Sequence, residues 1–148
     1  MNLMNFKIQG FFATLIIGTV SALTISDAIS QKVNAQATPF CNNATITGSY
    51  GSTFTGTAAG IIGAEVGLVK FNGRGNFQVT STSSVDGTVR TNETDSGTYS
   101  VKQDCTVRIV YSTSTSILNG TIVDGGKEIF LIGTNPGIVI TGTLKKVN

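Results

Sequence analysis

The chain has 148 residues and a formal net charge of +2, and its length suits a single domain. Charged residues make up only 12% of it, about half of the usual quarter, while glycine and threonine are abundant, which argues against a coiled coil, a helical bundle or a charge-rich disordered tail. The ten Lys and Arg residues are scattered along the chain, which argues against a nucleic-acid partner.

The N-terminal segment has the pattern of an export signal. A polar start with Lys7 precedes an uncharged apolar run over 11–25, and Ala35-Gln36-Ala37 offers the small side chains that a signal peptidase requires. The run is shorter than the roughly 20 residues of a permanent membrane helix. We therefore expect residues 1–37 to be a removed signal peptide and residues 38–148 to be one secreted or periplasmic domain without a stable membrane anchor. An earlier cut after Ala35 fits the same rule.

Both cysteines, Cys41 and Cys105, fall in the exported part of the chain. An even count of cysteines in an oxidising compartment indicates a disulfide, and only one pairing is possible. A reactive thiol would need a lowered pKa beside a base such as histidine, and the sequence contains no histidine. We predict a structural disulfide that ties the N-terminus of the mature domain to its middle.

Short β-branched and aromatic runs alternate with Gly, Asn and Asp turns along the mature chain, with no helical periodicity. The pattern predicts an all-β domain of eight or nine antiparallel strands. A single barrel is favoured over a Greek-key β-sandwich, because glycines inside strands suit the bulges and bends that close a barrel. The predicted strands cover 45–55, 61–71, 77–84, 88–92, 97–101, 106–112, 117–123, 128–134 and 138–145.

Four segments carry a resemblance to a known group of proteins: Phe71-Asn72-Gly73-Arg74-Gly75-Asn76, Gly97-Thr98-Tyr99-Ser100-Val101 with Asp104-Cys105-Thr106, Val123-Asp124-Gly125-Gly126-Lys127-Glu128-Ile129, and Gly142-Thr143-Leu144-Lys145. In this order they resemble small exported bacterial proteins, common in cyanobacteria, whose fold is similar to the allene oxide cyclase barrel and more loosely to lipocalin-like barrels. The resemblance implies a calycin-like β-barrel over nearly all of the mature chain. It implies no activity, and it carries over no catalytic residue.

The absence of histidine removes the commonest general base, the commonest metal ligand and the Ser–His and Cys–His nucleophile arrangements. We therefore predict no metal or cofactor site, and a role without catalysis is favoured over an enzyme. The chemistry that remains belongs to carboxylates, tyrosines and lysines.

Most acidic residues stand in predicted turns, where an aspartate bonds its own backbone. Glu65 is the exception, because it lies in an apolar strand on the same face as Gly63 and Gly67. A position facing water is the simpler interpretation of Glu65, and the alternative is a cavity in which its pKa is raised. The aspartates expected to be structural in turns are Asp86, Asp95, Asp104 and Asp124.

The three tyrosines, Tyr50, Tyr99 and Tyr111, are expected to be core residues with one hydroxyl satisfied at an edge. Together with Glu65 they are also the candidates for the lining of a ligand pocket.

Three hypotheses for function follow. The first is a barrel that binds a small apolar molecule at its mouth, and the second is a structural or interaction protein of the cell envelope. The third, an isomerase or cyclase that uses a carboxylate and a tyrosine, rests on fold analogy alone. A cavity above roughly 300 Å³ that holds Glu65 or a tyrosine hydroxyl would favour a binder or an enzyme, and a solid interior would favour the structural protein.

Overall fold

The computed structural model describes residues 40–147 and shows one closed barrel of eight antiparallel strands. Each strand pairs with the next along the chain, and β1 pairs with β8 to close the barrel. This confirms the predicted barrel and excludes the sandwich. The predicted signal peptide, residues 1–37, lies outside the described residues. The strands are β1 (Gly48–Ala58), β2 (Ile61–Phe71), β3 (Asn76–Val85), β4 (Thr88–Val101), β5 (Thr106–Tyr111), β6 (Ile117–Val123), β7 (Glu128–Gly133) and β8 (Ile138–Lys146).

Side chains alternate between the barrel interior and the surface, as the pleat of a strand requires. On β2, Val69 and Phe71 are buried, whereas Val66 and Leu68 are half exposed on the outside. The interior of an eight-stranded barrel is just wide enough for side chains to fill it. No helix within residues 40–147 is long and apolar enough to cross a membrane.

An aromatic cluster fills one half of the interior. The ring of Phe71 lies edge-on to Tyr50 and Tyr99, with centroid distances of 5.5 and 4.9 Å, and Phe77 packs against it at 6.0 Å. Such pairs add about 0.5–1.5 kcal/mol each beyond the area that they bury. This half of the barrel is therefore a packed core.

The first strand begins later than its sequence pattern predicts, because Asn43–Ile46 forms a short 3-10 helix. Asn42 caps this helix: its Oδ1 accepts a hydrogen bond from the Ala44 N–H at 2.9 Å. The Asn42 N–H in turn donates to Thr45 Oγ1 at 3.0 Å. This reciprocal pattern is a capping box, and it outweighs the strand propensity of the β-branched residues around it.

Two predicted strands, 88–92 and 97–101, are one continuous strand, β4. Its pairing with β3 shifts between Ser81, which lies opposite Glu93, and Ser83, which lies opposite Arg90. Asn92 in this bulge has a φ of 55°, a left-handed conformation that asparagine tolerates better than most residues. Since the bulge interrupts the pattern without ending the strand, the barrel has eight strands and not nine.

Residues 41–47, here called the plug, lie across the end of the barrel that holds the aromatic cluster. Ile46 is completely buried there. The Tyr99 hydroxyl donates to the Asn43 carbonyl at 3.0 Å, and the Val101 N–H donates to Asn43 Oδ1 at 2.8 Å. The plug therefore continues the hydrophobic core and also provides hydrogen-bond acceptors for β4.

The turns around the plug contain glycines where a side chain would collide with it. A Cβ on Gly126 would overlap the carbonyl oxygen of Thr45, and a Cβ on Gly73 would overlap Thr47 Oγ1. The predicted disulfide is present and joins Cys41 to Cys105 with 5.0 Å between their Cα atoms. It fixes the start of the plug to the turn between β4 and β5, so this end of the barrel is closed.

Replacing both Cys41 and Cys105 by serine should destabilise the mature chain by about 2–4 kcal/mol, because the bond restrains a long stretch of the unfolded chain. Thermal unfolding followed by circular dichroism measures the loss. Reductant should lower the Tm of the native protein towards that of the double variant and leave the variant unchanged. Equal Tm values for the native protein and the double variant, both measured without reductant, would contradict the structural role of the bond.

Candidate functional site

A cavity of about 690 Å³ occupies the half of the barrel opposite the plug. It opens between the turns that join β1 to β2, β3 to β4, β5 to β6 and β7 to β8. Its size lies within the usual 300–1,000 Å³ of small-molecule sites. Its lining is contributed mainly by Phe54, Ala58, Ile61, Gly63, Glu65, Val79, Ser81, Ser83, Val85, Arg90, Glu93, Asp95, Tyr111, Thr113, Leu118 and Ile140.

The cavity exists because small residues occupy the inward positions in this half of the barrel. Gly63, Ser81 and Ser83 line it, whereas the corresponding positions near the plug carry Tyr50 and Phe71. Gly63 illustrates the available space: a Cβ added there would meet Val85 Cγ2 at 3.5 Å, an ordinary van der Waals contact. The interior therefore changes from a packed core to a hollow along the barrel axis.

Part of the cavity lining is apolar. Phe54, Val79 and Leu118 are buried at its base. Ile61 and Val85 line the rim and remain 50% and 42% exposed. Large apolar side chains that are exposed around a concave opening are typical of a surface that meets a ligand.

Three acidic residues line the same cavity: Glu65 from β2, and Glu93 and Asp95 from β4. A hydroxyl orients each of the two β4 carboxylates: Ser83 Oγ donates to Glu93 Oε2 at 2.6 Å, and Thr113 Oγ1 donates to Asp95 Oδ1. Arg90 Nη1 lies 3.7 Å from Glu93 Oε1, but its side chain is 69% exposed, so water screens this pair. The cavity wall therefore has an excess of negative charge.

The bulge at Asn92 is what brings Arg90 and Glu93 to the same wall. These residues are three apart, so in a regular strand they would face opposite sides of the sheet. The shifted register places each of them opposite an inward-facing serine of β3. Bulges commonly redirect side chains in this way near functional sites.

Burial in the cavity raises the pKa of Glu65 above its ordinary value of 4.5, chiefly through desolvation. A hydrogen bond from Ser81 partly opposes this rise, and the negative charges of Glu93 and Asp95 add to it. The pKa of the Tyr111 hydroxyl is also raised, first by burial and then by Glu65 and Asp95. Glu65, Asp95 and Tyr111 therefore share one electrostatic environment.

Two of the four candidate pocket residues, Glu65 and Tyr111, line the cavity. The simpler interpretation of Glu65, a position facing water, is wrong, because its strand face is the interior of a closed barrel. Tyr50 and Tyr99 lie in the packed half instead, where their hydroxyls donate to the carbonyls of Gly126 and Asn43. Burial raises the pKa of Tyr50 to about 12 and also raises that of Tyr99.

Two acidic residues of the cavity, Glu93 and Asp95, were not among the pocket candidates predicted from the sequence. The turn position predicted for Asp95 is wrong, because β4 continues through Asn92 and Asp95 faces the cavity. Glu93 and Asp95 lie on the same inward face of β4 as Tyr99 and Val101. This period of two could have identified both acidic residues from the sequence. Asp86 and Asp104 do stand in turns, and Asp104 accepts hydrogen bonds from Thr106.

No family model matches the chain, and no curated protein matches it. Two solved structures are similar to it, both redesigned β-barrels bound to DFHBI. The barrel mFAP0 has 22% identity and a TM-score of 0.47, and the match covers 69% of this chain and 99% of that one. The barrel mFAP1 has 21% identity and a TM-score of 0.46, with 70% and 97% covered.

Glu65→Gln should stabilise the unliganded protein at pH 7. The raised pKa means that the fold holds a proton on Glu65 after the unfolded chain has released it, so the stability linked to this group is complete at acidic pH and is lost as pH rises through the folded pKa. We expect a higher Tm than wild type at pH 7 and no difference near pH 3, measured by calorimetry.

A matched control is Glu128→Gln, which removes the same charge from an ion pair with Lys145 at the other end of the barrel. This change should give no gain in Tm at pH 7. An equal gain from Glu65→Gln at both pH values would contradict the assignment of a buried charge.

Proposed function

We propose that the mature chain is an exported β-barrel protein that binds a small, largely apolar molecule in the open half of its interior. One observation carries the proposal: the barrel has a cavity of about 690 Å³ at one end, while the plug and the aromatic cluster fill the other end. A protein with a purely structural interior needs no such space, because close packing stabilises a fold and a cavity costs stability.

The lining supports an apolar body in the ligand. Phe54, Val79, Leu118 and Ile140 present hydrocarbon surface, and the carboxylates come only from β2 and β4. Burial of apolar ligand surface contributes roughly 25 cal/mol per Å² to the free energy of binding. Contact with these side chains can therefore hold a molecule with one or two rings.

The disulfide supports the proposed export. Bonds of this kind persist in oxidising compartments and are rare in the cytosol. Cys41 lies a few residues after the proposed cleavage site, so residues 38–148 contain the whole covalent framework, including the plug.

A second candidate is an isomerase or cyclase, favoured by the presence of Glu65 and Tyr111 in one cavity. A carboxyl group with a raised pKa is suited to proton transfer. The two candidates share one site, and they are separated by whether a bound molecule is released chemically changed.

Gly63→Phe should block the site, because a Cβ at this inward position makes only ordinary van der Waals contacts, with Val85 Cγ2 at 3.5 Å and the Ser84 carbonyl at 3.6 Å, and the ring beyond it projects into the cavity. We expect the wild-type mature chain to bind the neutral dye Nile red with a blue-shifted, enhanced emission. The variant should bind it at least tenfold more weakly, as measured by fluorescence titration.

The control is Val66→Phe on the same strand, which adds an equal ring at a position that is 57% exposed on the outside. This variant should bind Nile red like the wild type, and circular dichroism should show the same fold for all three proteins. Equal binding by wild type and Gly63→Phe would contradict a site inside the barrel.

A further inference from the structure

The acidic side of the cavity carries more hydrogen-bond acceptors than donors. An ionised carboxylate offers about four acceptor positions. Glu65 accepts a hydrogen bond from Ser81, and Glu93 accepts one from Ser83. Asp95 accepts from its neighbour Ser96 and from Thr113. Each carboxylate is thus held in place by hydroxyl or N–H donors and still has acceptor positions directed to the cavity.

The charge of this wall is also unbalanced. Arg90 is the only cationic side chain that lines the cavity in the described part of the chain, and it pairs with Glu93 at the rim. Glu65 and Asp95 have no ion-pair partner within residues 40–147. Like charges that share a partly buried site disfavour each other's ionisation, and a cation between them relieves this repulsion.

A further polar group close to this wall is the hydroxyl of Ser52. Ser52, Gly67, Ser81 and Glu93 lie in one paired row across β1 to β4. Ser52 faces the interior, is only 4% exposed, and its Oγ has no hydrogen-bond partner among the described residues. A buried hydroxyl left without a partner destabilises the fold.

Gly67 allows Ser52 and Ser81 to approach each other closely across β2. A Cβ on Gly67 would lie 3.2 Å from Ser52 Oγ and 2.9 Å from the Cβ of Ser81. Ser81 itself lines the cavity and bonds Glu65. The unsatisfied hydroxyl therefore lies next to Ser81, directly behind the carboxylate wall.

The spacing of the acids favours an organic cation over a metal ion. No three carboxylates or cysteines within residues 40–147 converge closely enough to hold a metal. An ammonium or guanidinium group spans a larger distance and carries only donors, which complements a wall rich in acceptors. The ring of Tyr111 lines the same space and attracts a cation through its face.

We propose that the ligand is a small organic cation, an ammonium or guanidinium group attached to an aromatic or aliphatic body. The charged head lies against Glu65 and Asp95, and the body lies against Phe54, Leu118 and Ile140. This inference rests on the proposed function and adds the chemical class of the ligand.

The test is a matched series of probes with one body and three heads: 2-(1-naphthyl)ethylamine, 2-(1-naphthyl)ethanol and 1-naphthylacetate. Isothermal titration of the mature chain at pH 7 and low salt should show the amine binding at least tenfold tighter than the alcohol, and the carboxylate weakest. Raising the salt to 1 M should weaken the binding of the amine alone, because salt screens the interaction between its charge and the carboxylates.

Glu65→Gln and Asp95→Asn should each reduce the preference for the amine over the alcohol at least threefold while binding of the alcohol persists. Glu128→Gln, which removes a carboxylate outside the cavity, should leave the preference unchanged. Binding of all three probes with equal affinity would overturn the cationic ligand and leave the proposed function standing. Tightest binding of the carboxylate, or a preference that survives both cavity variants, would also overturn it. Failure of all three probes to bind would overturn the proposed function as well.

Discussion

The burial of Ile46 at one end of the barrel is the contact on which the rest of the structure depends. Ile46 is completely buried, and the short capped helix that carries it is held by the Cys41–Cys105 disulfide and by two hydrogen bonds to Asn43. Because these contacts complete the packing of the aromatic cluster, most of the large side chains that stabilise the fold lie in this half. The other half is free to carry small inward residues and a hollow.

That division separates stability from recognition. Glu65 and Asp95, which would destabilise a packed core, lie in the open half, and the packed half compensates for their cost. The bulge at Asn92 belongs to the same arrangement, because it turns Arg90 and Glu93 towards the cavity without breaking the barrel. Apolar residues at these positions would stabilise the barrel further, and the proposed ligand site accounts for the acidic residues that occupy them instead.

Much of the fold follows from the sequence, because turn glycines and a period of two are local signals. The strands near Gly73, Asp86 and Gly125 could be located in this way, and the closure of the barrel was favoured by glycines within strands. The plug could not be located from the sequence, because the capping box of Asn42 and Thr45 competes with β-branched residues that are typical of a strand. The acidic wall could be predicted only in part. Glu65 was identified because its neighbours in the strand are apolar. Which face of a strand becomes the interior depends on the closure of the barrel, which is a long-range property.

One end of this barrel is sealed, and in the proposed function the other end receives a ligand. Amide chemical-shift mapping of the isotopically labelled mature chain, titrated with the neutral 2-(1-naphthyl)ethanol, tests it most directly. The account predicts shifts at Gly63, Glu65 and Asp95 around the open half, with Tyr50 and Ile46 unchanged. Shifts confined to outward positions such as Val66 and Leu68, or centred on the plug, would contradict it.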